Sequence, residues 1–358
     1  MASAAEKHVD LGFAEKCPVN QEWKLVSPFF PSKLGGKPSW LALKGIPECK
    51  DILCEYCEEP CSFLLQLYAP IEDRDDCFHR TLFVFVCRNN ECSRPNTNGN
   101  FVVLRCQLPQ KNEFYSESPL VNEDEEDDFK FDLSSDYPKA ENFQKLCSSC
   151  GVHGPLSCGI CKKVSYCCKK HQLIHWKSGH KKECKQPETV ANKVQIKDFH
   201  FPEFEIIHEK EDLTELESED EADENDNDSK VEELNNSLKE KDLENFVSRT
   251  EDEAFSNFRN VIKLQPDQII RYNLDGEPLW ISSENKVSYK DISPCKCGTR
   301  RQFEFQIMPQ LINYLEIDEK DDKGLDWGIL AIYTCSKNCN SNIYNKEFIW
   351  RQDVSADK

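Results

Sequence analysis

The chain has 358 residues, enough for two or three domains with separate cores. Its 65 acidic against 45 basic residues leave a formal net charge of −20, which argues against a general nucleic-acid or membrane-surface binder and points to basic partners. Twenty cysteines behind a start, MASAAEKHVDLGF, that lacks a signal segment fit the cytoplasm or also the nucleus, where CxxC clusters are zinc ligands rather than disulfides, and no apolar run approaches the roughly 18 to 20 residues that span a bilayer.

In chain order, residues 1–118 form an N-terminal β-rich half in which short β-branched and aromatic runs are bounded by Pro, Asn and Gly. Within it Cys54, Cys57, Cys87 and Cys92 have the arrangement of a zinc ribbon, two ligands from each of two turns. Residues 119–145 are an acidic linker containing the run Asn122 to Asp128, and residues 146–185 hold a dense Cys/His block. A connector, 186–208, leads to a second acidic linker, 209–245; both linkers read as disordered, because such composition cannot offset about 1 to 2 kcal/mol of backbone ordering per residue. The C-terminal half, 246–358, opens with a helix at about Glu251 to Leu264, where Thr250 and Glu253 have capping-box spacing and Phe255, Phe258 and Ile262 share a face.

The two halves repeat each other. GlyLysProSerTrpLeu at 36–41 answers GlyGluProLeuTrpIle at 276–281, Gln66 in FLLQ answers Gln306 in FEFQ, and LFVFVC to Cys87 answers LAIYTC to Cys335. FVVLRCQ and FIWRQ close the two series. The repeat extends the ribbon to Cys295, Cys297, Cys335 and Cys339, although its CxC pair is tighter. The alternative is that these eight are buried free cysteines; duplication favours zinc. Cys17, Cys49, Cys61, Cys77 and Cys106 receive no role, and Trp40, Trp280 and Trp327 read as packing residues.

The central block runs CxxC from Cys147 to Cys150, CxxC from Cys158 to Cys161, then Cys167, His171, His180 and Cys184, eight donors for two tetrahedral ions. Four protein ligands leave no position for a reacting water, so the sites are structural. The pattern resembles the MYND family of zinc fingers. That resemblance implies interleaved sets, Cys147, Cys150, Cys167 and His171 for one ion and Cys158, Cys161, His180 and Cys184 for the other. His171 stands where most members have cysteine, and one extra residue separates Trp176 from His180. Cys168 reads as spare, His175 as a surface histidine, and Trp176 as the finger's small core. The alternative for Trp176 is a groove for proline-containing peptides.

The order of parts resembles the programmed cell death protein 2 family, on the motifs SKLGGKPSWL, CEYC with FLLQLYAP, FHRTLFVFVC, FEFQIMPQL and LDWGILAIYTC. The resemblance implies a mainly β fold with some α, duplicated β-rich halves with zinc-ribbon sites and a two-zinc MYND finger. It also implies a non-enzymatic chaperone that binds a new, basic small-subunit ribosomal protein and supports subunit biogenesis, with indirect effects on proliferation, stem-cell maintenance and programmed cell death. A client segment would add as a strand at a sheet edge or in a cleft between the halves. The competing reading is a nuclear MYND adaptor that recruits transcriptional corepressors. No phosphate loop, nucleophile elbow or HExxH sequence points to an enzyme.

Overall fold

The computed structural model describes residues 8–121, 129–133, 136–184, 199–212, 252–317 and 324–354. The acidic run at Asn122 to Asp128 and all but the first few residues of 209–245, read above as disordered, lie outside these. The strands are β1 (Asp10–Glu15), β2 (Lys33–Leu34), β3 (Ser62–Tyr68), β4 (His79–Val86), β5 (Phe101–Leu108), β6 (Leu156–Ser157), β7 (Ser165–Tyr166), β8 (Phe204–Lys210), β9 (Ile270–Tyr272), β10 (Arg301–Ile307), β11 (Ile329–Cys335) and β12 (Tyr344–Gln352). β8 therefore reaches into the residues drawn above as linker.

Ten strands close one barrel in the order β1-β8-β2-β3-β4-β5-β12-β11-β10-β9, all neighbours antiparallel. The two halves thus share a single sheet, with no cleft between them, because β5 pairs directly with β12 from Val103↔Glu347 to Cys106↔Tyr344. Closure satisfies backbone groups that two open sheets would leave bare. At the second seam β8, which follows the finger, pairs with β1 and β2 of the N-terminal half, and β1 pairs in turn with β9 of the C-terminal half.

Both faces of the central strands are buried, which is why they read as near-continuous apolar runs. Leu82, Val84, Val103, Phe305, Ile307, Leu330 and Ile332 belong to one cluster fed by both halves, the barrel interior. Their alternates Phe83, Phe85, Val102 and Leu104 face outward beneath Trp40. On the C-terminal side the helix Glu253–Leu264 lays Phe255, Phe258 and Ile262 against Ile281, Met308 and Ile329. Asp252 caps that helix by accepting the Ala254 N–H at 3.0 Å, so the cap is this aspartate rather than Thr250, which lies outside the described residues.

The duplication shows at atomic detail. Gln66 Oε1 accepts the Ser39 N–H at 2.8 Å and its Nε2 donates to Ser39 O at 3.2 Å; Gln306 Oε1 accepts the Leu279 N–H at 2.6 Å and its Nε2 donates to Leu279 O at 3.1 Å. Each buried glutamine therefore clips the residue before a tryptophan, Trp40 or Trp280. The β3–β4 ladder shifts register between Phe63 and Leu65, and the β10–β11 ladder between Phe303 and Phe305, so both copies carry the same bulge. The bulged residue is Leu64 in one copy and Glu304 in the other.

Glu304 is fully buried and takes a two-pronged pair from Arg80, with Nη2–Oε2 at 2.6 Å; Tyr272 Oη donates to it at 3.3 Å and Thr334 Oγ1 at 2.5 Å. Arg105 Nε and Arg301 Nε donate to opposite oxygens of Glu347 at 2.7 and 2.9 Å. Arg80 and Arg105 come from the first half, Glu304 and Glu347 from the second. These pairs therefore cross the seam.

Candidate metal centres and the docked finger

Four clusters of four donors stand out, each with its donor atoms within 4.8 Å of one another: Cys54, Cys57, Cys87 and Cys92; Cys147, Cys150, Cys167 and His171; Cys158, Cys161, His180 and Cys184; and Cys295, Cys297, Cys335 and Cys339. All sixteen residues named from the sequence fall in these sets, in the partition the MYND resemblance implied. A zinc tetrahedron with Zn–S of about 2.3 Å has edges of about 3.8 Å. The sulfur pairs match: Cys57–Cys87 is 3.6 Å, Cys150–Cys167 3.6 Å, Cys158–Cys184 3.8 Å, Cys295–Cys339 3.5 Å and Cys297–Cys335 3.6 Å. None is a disulfide. The donor sets therefore fit zinc.

Each outer centre joins the end of a central strand to the turn before its neighbour. Cys87 directly follows β4 and Cys335 ends β11; the Cys54 carbonyl receives the Glu58 N–H at 2.9 Å and the Cys295 carbonyl the Gly298 N–H at 2.8 Å, turns that bring the paired thiols round. Gly298 takes φ +81°, a left-handed value that tightens the CxC turn. Cys297 is the exposed member of its set, whereas Cys54, Cys87 and Cys92 are buried.

In the finger, β6 and β7 form a hairpin and the helix Lys169–His175 follows. His171 presents Nδ1, 3.7 Å from Cys147 Sγ, and His180 presents Nε2, 3.5 Å from Cys161 Sγ. Cys168 caps the helix, its Sγ accepting the His171 N–H at 3.5 Å. His175 is not a surface histidine: it is buried, 3.0 Å from Tyr166 Oη through Nδ1, and its ring stacks on His180. The helix turn that aims His171 at the metal necessarily turns His175 inward, one turn on. Trp176 is half-buried and packs edge-on to His180.

The finger is seated on the barrel by the motif that marks the first half. Trp40 Nε1 donates to Gly151 O at 2.7 Å, Lys37 Nζ to Ser148 O at 2.5 Å, and the His153 N–H to Pro47 O at 3.0 Å. Burial pulls the Lys37 ammonium below its usual value, while the Cys147 and Cys150 thiols beside it push it back up. Three thiolates holding a divalent ion there would carry one net negative charge, which Lys37 is placed to offset. Cys49, given no role from sequence, packs at the same junction, close to Cys167 and Cys168. Nothing in its local sequence signals that long-range neighbour. Trp40→Phe keeps the ring but strands the buried Gly151 carbonyl, at a cost of about 1 to 3 kcal/mol. Amide exchange should then quicken across Cys147 to His153 while bound zinc is unchanged.

The descriptions of the family match in the same order. Residues 8–122 match the programmed cell death protein 2 N-terminal domain, 147–184 the MYND finger, and 252–353 the programmed cell death protein 2 C-terminal putative domain. Programmed cell death protein 2 of Bos taurus is 42% identical over 99% of both chains, and that of Mus musculus 41% over 99% of both. The probable 20S rRNA accumulation protein 4 of Schizosaccharomyces pombe is 25% identical over 94% of both. No solved structure matches. With three matched segments around these four donor clusters and full-length relatives above 40% identity, the chain belongs to the programmed cell death protein 2 family.

Proposed function

We propose that the protein is a non-enzymatic chaperone, built on four zinc ions, that binds a basic small-subunit ribosomal protein and supports small-subunit biogenesis in the cytoplasm, extending to the nucleus. The observation that carries this reading is the likeness over 94% of both chains to a yeast protein named for 20S rRNA accumulation. The net charge of −20 suits a basic client, and each donor cluster fills four positions, leaving none for a metal-bound nucleophile. The test is co-purification from cell extract at low and high salt. A small-subunit ribosomal protein retained at low salt and lost at high salt supports the reading; transcription factors without one overturn it.

The long acidic stretch supplies part of the attraction. Since β8 pairs with β1 through Lys210↔Asp10, a deletion that spares the barrel must begin after Asp212. Removing residues 213–244 is expected to weaken client binding and flatten its salt dependence. Unchanged affinity and slope would make the stretch a tether.

A second reading, a peptide adaptor, draws on the finger surface, where Leu156, Ile160 and Leu173 are 46%, 63% and 48% exposed. A proline-containing peptide fits such a face. Ile160→Arg would abolish that binding and spare the client.

A further inference from the structure

The barrel is closed, but one of its strands is too short to cover its neighbour. β2 pairs with β8 only at Leu34↔Phe204 and Lys33↔Glu205, while β1 follows β8 from Glu205 to Lys210. The Ile206 N–H already points to the β2 side, donating to Ser32 O at 2.9 Å. Alternation places the backbone groups of His208 and Lys210 on that same side, beyond the end of β2. Here lies a cavity of about 790 Å³, walled by Trp23, Phe29, Phe30, Phe78, His79 and Tyr115, with Ile206 and His208 on its β8 flank. Its size and ringed apolar lining are those of a ligand site.

Two polar atoms in this wall have no partner. Trp23 Nε1 and His79 Nε2 are buried without a hydrogen bond, although their residues are only 4% and 6% exposed. His79 Nδ1 is occupied by Tyr68 Oη at 2.9 Å, and burial pulls the imidazole down to about 4, so the ring is neutral at neutral pH. Both nitrogens are sealed from solvent, so what the opening offers a peptide is the uncovered backbone of β8 beside aromatic rings. The chain as a whole is at −20, which suits a basic segment.

We propose that an extended segment of the basic client, carrying an apolar side chain, docks in this opening by pairing with β8 past Ile206 and seating that side chain among the aromatic rings. This rests on the chaperone reading above. The test uses the full chain and an array of overlapping peptides covering the small-subunit ribosomal proteins, with the tightest binder measured by fluorescence anisotropy. Leu120, half-exposed in the cavity wall, is replaced by arginine, a loop substitution whose folding is checked by melting; Ile160→Arg on the finger is the control.

Leu120→Arg is expected to weaken binding at least tenfold, Ile160→Arg to leave it unchanged, and the peptide to slow amide exchange at Ile206 to Lys210. Undiminished binding in Leu120→Arg, or protection on the finger instead, overturns the docking site and leaves the chaperone reading standing. Peptides that fail to bind while a ribosomal protein still co-purifies overturn this docking mode alone. Absence of both overturns the two together.

Discussion

Cys150→Ser is expected to lower bound zinc from four to two per chain and to unfold residues 147–184, whereas Cys297→Ser should lower it only to three. The difference comes from interleaving. The first finger set closes around the chain that carries Cys158 and Cys161, and the second around the chain that carries Cys167 and His171, so losing one ion slackens the backbone that positions the other. With about 40 residues and little apolar core, the finger draws its folding free energy from metal, about 10 to 16 kcal/mol in comparable peptides. The outer centre at Cys297 is different, because β10 and β11 are held by the barrel ladder on either side. Elemental analysis of the purified variants, with amide exchange to locate the unfolding, makes the measurement. A Cys150→Ser protein that keeps three ions would refute the coupling of the two finger sets, and one that keeps four would refute the sets themselves.

The second large effect lies at the seam of the barrel. Glu304→Ala leaves Arg80 buried without its carboxylate, and removing one partner of a buried pair costs about 3 to 5 kcal/mol. Desolvation favours loss of the Arg80 charge, but Glu304 more than offsets it and keeps the guanidinium ionised. Urea unfolding should show the loss in midpoint with little change in slope. Replacing both residues by methionine should recover most of it, since an apolar pair of similar volume leaves no charge unpaired. If the double variant is no better than the single, the pair is dispensable and the loss comes from Tyr272 and Thr334, which also donate to Glu304.

Much of this architecture was legible in the residues. The Gln66 and Gln306 correspondence located two equivalent clips, and cysteine spacing located the finger's donors, because ligand geometry is local and strict. The apolar runs of β4 and β11 announced buried strands. Closure into one barrel was not legible, since pairing between β5 and β12 depends on residues more than two hundred positions apart and leaves no periodic trace. The same holds for β8: FEIIHEK alternates only in part and straddles the boundary between the connector and the acidic linker. Arg80 and Arg105 sit fully buried on strands whose pattern alone would have placed charges outside. Their partners, Glu304 and Glu347, come from the other half, so neither stretch by itself explains its own buried charge.

The pairing of β1 with β9 bears on the order in which the chain matures during its own synthesis. β1 leaves the ribosome well before β8 and β9, which flank it, and β5 must wait for β12, more than two hundred residues later. The growing polypeptide therefore cannot complete either half in sequence, and the barrel closes only once β12 has emerged. Cut at the acidic stretch and expressed as separate pieces, each fragment would lack a strand supplied by the other: β9 and its neighbours would wait for β1, while β8 would remain with the first. The two copies are bound together by a stitch at each end, and the protein folds as one object or not at all.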